Sequence, residues 1–146
     1  MADLTDEIGA ILEKKQNSEE RKSKDDEQTG VAVERFMKEL VRAAFDEFAE
    51  ALRAHGRDVE INVGPRTASF LAKHEGKEEL NYRVEHQRGT KVAPVVTFTD
   101  RSDGKRYSGL GYFRSGPQDY GVADLTKAEI VQHMMNEYRM MMSPRP

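Results

Sequence analysis

The sequence predicts an α+β, two-layer domain: a long N-terminal helix, a five-stranded antiparallel meander and a C-terminal helix. Three observations lead there. Apolar residues recur at helical spacing from Val31 to Leu52, alternate with a period of two between Val59 and Phe113, and return to helical spacing from Leu125 to Met141. Turn signals break the alternating stretch into five short runs, and connections this short join antiparallel neighbours, because a parallel crossover needs a dozen or more residues.

The first element is an amphipathic arm over residues 1–12, in which Leu4, Ile8, Ile11 and Leu12 fall on one helical face. Residues 13–30 follow without a single aliphatic, aromatic or methionine side chain, and 11 of the 18 are charged. Nothing there can enter a core. A solvated helix supported by i,i+4 pairs such as Glu20 with Lys24 and a charged linker are both consistent with this composition. The domain proper is expected over residues 31–142, with 143–146 as a tail. Its first helix carries the wide stripe Val33, Phe36, Met37, Leu40, Val41, Ala44, Phe45, Phe48 and Leu52, with Thr29 as the expected N-cap and Gly56 as the stop.

Five strands are expected next. Val59, Ile61 and Val63 alternate with polar neighbours, and Gly64-Pro65 turns the chain into Thr67–His74. Glu75-Gly76-Lys77 is the second turn, before Leu80, Tyr82 and Val84. A fourth run, Val92–Thr99, contains Pro94, which predicts an edge position or a bulge. Ser102-Asp103-Gly104 is a hairpin signal leading into Lys105–Phe113. Thr126 and Glu129 then form a capping box for the last helix, which carries Leu125, Ile130, Val131, Met134, Tyr138 and Met141.

At 146 residues the chain has room for one domain with appendages. It has no cysteine, so thiolate metal sites, disulfides and thiol nucleophiles are excluded, and its acidic start and lack of a long apolar run lead to the expectation of a cytoplasmic protein outside the membrane. Sequence signals for catalysis are weak. His55, His74, His86 and His133 stand in no metal-ligand spacing, and Gly109-Leu110-Gly111 lacks the rest of a dinucleotide fingerprint. Alternate glycines on a strand instead suggest a close helix approach or a bent sheet. Asp58 with Glu75 and Lys77 has the outline of a metal-dependent nuclease triad, but Glu75 and Lys77 flank a turn, and turn chemistry is the stronger reading. No catalytic residue, metal or cofactor is therefore expected.

Charge is unevenly placed. Residues 1–56 carry 14 acids against 9 bases, residues 57–114 carry 8 against 11, and the remainder carry 4 against 3. If Val59, Phe70, Tyr82, Phe98, Tyr107 and Phe113 face the helices, the other sheet face presents Leu71, Lys73, Asn81, Arg83, Gln87, Val95, Arg106, Leu110 and Tyr112. Cations, amides, aliphatics and a tyrosine together suit a protein interface. Function is accordingly expected to be that of a non-catalytic interaction module, a regulatory or accessory subunit. Partners would meet Leu4, Ile8, Ile11 and Leu12 on the arm and Arg83, Arg106, Leu110 and Tyr112 on the sheet. A homodimer is expected, with Met135 and Met142 widening the last helix's stripe into a contact between copies. Nucleic-acid binding on the basic sheet face and small-ligand binding between sheet and helices are the alternatives.

Overall fold

The computed structural model describes residues 4–143, and the side chains of all of these but 20–26. The tail beyond Ser143 lies outside the described residues. One continuous helical rod opens the chain: α1 (Leu4–Arg35), a π-helical turn (Phe36–Val41) and α2 (Arg42–Ala54). Residues 13–30 are thus helical, and Thr29, expected to start a helix, lies inside one. The charged stretch contains no proline and its only glycine is the last residue, so no residue in it forces a break ahead of the core-facing stripe.

The π turn has a sequence cause. Val33, Met37, Val41, Phe45 and Ala49 are spaced strictly by four, and all are essentially fully buried. In a regular α-helix each step of four advances about 400°, so such a column drifts by roughly 40° per step. The wider π turn, bonded i to i+5, takes back part of that drift and keeps the column on the core. α2 ends where Gly56 adopts φ 77°; its N–H reaches the Arg53 carbonyl and the Arg57 N–H reaches Leu52, closing a Schellman motif.

The sheet is an open antiparallel meander in the order β1 (Asp58–Val63), β2 (Thr67–His74), β3 (Lys77–His86), β4 (Val92–Thr99) and β5 (Arg106–Leu110). Glu75 and Gly76, both at positive φ, form the two-residue turn between β2 and β3, with His74 paired to Lys77. The β4–β5 loop is longer than a two-residue Asp-Gly turn: Asp100 and Lys105 close it, and Gly104 sits at φ 72°. Pro94 corrects an expectation. It lies in β4, which is an interior strand. Its carbonyl accepts from Gly111 at 2.8 Å, and its missing N–H faces the same side, so the ladder stops there and β5 ends at Leu110 rather than Phe113.

Register assigns the two faces. Val59, Phe70, Tyr82, Val96, Phe98, Tyr107 and Gly109 lie toward the helices; Leu71, Asn81, Arg83, Val95, Ser108 and Leu110 lie on the open side. α2 packs over β1 and β2, and α3 (Lys127–Met142) packs over β3 and against α2. Phe45 and Phe48 meet Phe70 with ring centroids 5.4 and 5.6 Å apart, and Tyr138 of α3 meets Phe48 at 5.9 Å. α3 begins with the expected box: Glu129 N–H donates to Thr126 Oγ1 at 3.2 Å, and Thr126 N–H donates back to Glu129 Oε1 at 3.3 Å.

Candidate binding surfaces

The arm is the most exposed apolar feature. Leu4, Ile8, Ile11 and Leu12 are 69, 49, 67 and 59% exposed, and the next buried apolar residue along the helix is Val33. The 20 residues of helix between Leu12 and Val33 span roughly 30 Å, so a straight α1 carries its stripe well away from the core.

Sequence reasoning brought four further residues to one sheet face, and the structure separates them into two groups. Arg83, Val95 and Leu110 form one row across β3, β4 and β5. Val95 is buried there although it points away from the helices, flanked by the Arg83 and Leu110 side chains, and Leu110 itself is exposed. Tyr112, beyond the end of β5, is also exposed and joins Leu110 along a shallow depression with Gln118 and Tyr120. Arg106 stands apart near the β4–β5 hairpin, where one guanidinium nitrogen donates to both Glu78 oxygens at 3.2 and 3.1 Å.

The positive charge of this face is largely answered from within. Arg106 pairs with Glu78 and Arg83 lies 3.5 Å from Glu85; on the helix side, Arg57 grips Glu79 at 3.0 Å. A bulge explains why neighbouring acids serve opposite sides. Between the Ala72–Leu80 and Lys73–Glu78 pairs β3 has one extra residue, Glu79. Glu79 turns to Arg57 and to the Tyr138 hydroxyl at 3.1 Å, while Glu78 reaches Asn81 and Arg106 on the open side. Only Arg83 Nε, among the buried polar side-chain atoms of the described residues, lacks a hydrogen bond.

On α3, Met135 and Met142 are 42 and 43% exposed, off the core stripe of Ile130 and Met134. Asp58, Glu75 and Lys77 are placed by sheet and turn: Asp58 pairs with Lys73, and Glu75 points to solvent at the hairpin tip. No helix among the described residues is long and apolar enough to cross a membrane.

Two clusters escaped sequence reasoning. Arg114 clamps the loop leading to α3: it donates to both Glu129 oxygens at 2.6 and 2.8 Å and to the Asp124 carbonyl at 2.6 Å, over the Tyr120 ring at 4.9 Å. This pairing holds the Glu129 carboxyl below the usual carboxylate range. The second lies between α3 and the sheet. His133 Nδ1 is 2.9 Å from the Tyr82 hydroxyl, and its Nε2 is 3.7 Å from Glu137. Burial pushes the His133 imidazolium below its ordinary range and the Glu137 carboxyl above its own. Beside them runs a groove of about 360 Å³ between α3 and the β4–β5 hairpin. Gly109 and Gly111 lie on its floor. Of the two readings of alternate glycines, a close helix approach does not hold, because a Cβ at Gly109 would meet only Phe98 and Val96, each at 4.0 Å. Only the spacing of His133, Glu137 and Met141 by four hinted at this second α3 face.

Comparison with protein-family models, with curated proteins and with solved structures returns no match in any of the three.

Proposed function

We propose that this chain is a non-catalytic interaction module that self-associates and docks protein partners, with the N-terminal arm as its principal contact and the sheet face around Arg83, Leu110 and Tyr112 as a second. The observation that carries this reading is the arm: four large aliphatic side chains on one face of a helix, all exposed and separated along it from the first buried residue, Val33, by residues with no buried apolar side chain. Burying a Leu or Ile is worth roughly 1.5–3 kcal/mol, whereas association costs roughly 4–15 kcal/mol. Two arms contribute eight such side chains, so even partial burial of the two stripes against each other is enough to offset that cost and hold a concentration-dependent complex. A partner groove that covers the whole stripe would bind more tightly. The exposed Met135 and Met142 extend the surface available to a second copy.

A nucleic-acid platform is supported less well, because Arg83 and Arg106 already face Glu85 and Glu78. Counterion release needs cations that are free to meet phosphate. The test is sedimentation of the full chain beside Ile8→Asp/Ile11→Asp. Self-association in the parent that is lost in the variant supports the reading. A parent that stays monomeric over a wide concentration range contradicts it.

A further inference from the structure

α3 covers β3 but leaves the outer part of the sheet open. The groove there has a floor of Val96, Phe98, Gly109 and Gly111, in which the two glycines expose backbone where side chains would otherwise stand. Met141 and Met140 form one end of its α3 wall, and His133 and Glu137 form the rest. Its volume of about 360 Å³ lies at the small end of ligand sites.

The wall is chemically unbalanced. Glu137 is half-buried, its side chain 21% exposed; His133 Nε2 lies 3.7 Å away, and the buried Tyr82 hydroxyl is close enough to feel its charge. His133 is committed to Tyr82 on β3, and burial favours its neutral form. β4 and β5 contribute no charged side chain to the lining. Arg57, Arg106 and Arg114 are engaged elsewhere, with Glu79, Glu78 and Glu129, and Lys77 and Arg101 line the separate depression beyond Met140 and Met141. No lysine or arginine among the described residues pairs with Glu137. A carboxylate in this setting either takes up a proton or meets a cation from outside.

We propose that the groove binds a small organic cation: a primary ammonium group seated on Glu137, carried by a flat apolar body lying on the Gly109–Gly111 floor against Met140 and Met141. Adaptable methionines suit a ring of variable shape, and the glycine floor gives it a surface to lie on. The site is independent of the N-terminal arm, so it stands or falls separately from the interaction reading.

Three phenyl probes of similar size test it on the full chain: benzylammonium, benzyl alcohol and benzoate, titrated and followed by amide chemical shifts. Benzylammonium is expected to bind best and to move resonances of α3 and β5, and benzoate is expected not to bind. Glu137→Gln should weaken benzylammonium at least tenfold and leave benzyl alcohol unchanged. Gly109→Val, whose Cβ makes only ordinary contacts, should fill the floor and abolish binding of both. Equal affinity for all three probes, no binding of benzylammonium at millimolar concentration, or full affinity in Glu137→Gln would each overturn the proposal. Circular dichroism of both variants checks that they fold, and Glu137→Gln alone decides the matter if Gly109→Val does not.

Discussion

The Tyr82 hydroxyl lies 2.9 Å from His133 Nδ1, joining the middle of β3 to α3 across 51 residues of sequence. Tyr82 is fully buried, and its ring also meets Phe45 edge-on at 6.1 Å. The bond satisfies the buried hydroxyl and orients the imidazole beside the groove. Tyr82→Phe keeps the ring and removes the partner, leaving His133 Nδ1 in a largely apolar setting. The expected loss is about 1–3 kcal/mol, seen in urea unfolding as a lower midpoint with an unchanged slope.

The same cluster fixes the sign of a pH dependence. His133 is harder to protonate in the fold than when unfolded, chiefly because of burial, although a bond to the Tyr112 carbonyl works the other way. Its contribution is therefore complete above about pH 6.5 and is lost as pH falls below that value. Glu137 is opposite: burial raises its carboxyl, so stability falls as pH rises from about 4.5 toward the raised value. In the parent the two groups contribute slopes of opposite sign between about pH 4.5 and 6.5. Glu137→Gln should steepen the rise in stability with pH, and His133→Asn should leave a decline. Thermal midpoints between about pH 4.5 and 7 read both slopes.

How much of this was legible without the structure differs by element. The capping box at Thr126 and Glu129, the period switch at Val59 and the Glu75-Gly76 turn are written in adjacent residues, so local rules found them. Thr29 failed as a helix start because capping preference is weak beside a charged stretch that can simply continue the helix. Pro94 failed as an edge marker because what matters is which side its missing donor faces, and that side lies beyond the end of β5. The Tyr82–His133 contact and the Arg114–Glu129 clamp join residues 51 and 15 apart, and no spacing rule spans such distances. The bulge at Glu79 is likewise invisible in an alternating pattern, yet it decides which acid serves Arg57 and which serves Arg106.

Arg114 illustrates a clamp of this kind. Its removal frees Glu129, the Asp124 carbonyl and the face of Tyr120 together. Arg114→Met should lower the melting temperature and loosen residues 114–126, detectable as faster amide exchange there. Because the Arg114 guanidinium holds the Glu129 carboxyl down, the penalty is expected in full above the usual carboxylate range and should shrink as acid protonates Glu129. A penalty of equal size at low and neutral pH would show that packing, not the ion pair, does the holding.

Leu4, Ile8, Ile11 and Leu12 are proposed to form a contact surface rather than an idle stripe at the end of a rod. Sedimentation of the full chain with and without Ile8→Asp/Ile11→Asp tests it most directly. The expected result is a concentration-dependent dimer in the parent and a monomer of unchanged helicity in the variant. A parent that remains monomeric at every concentration, or a variant that dimerises as the parent does, would contradict it.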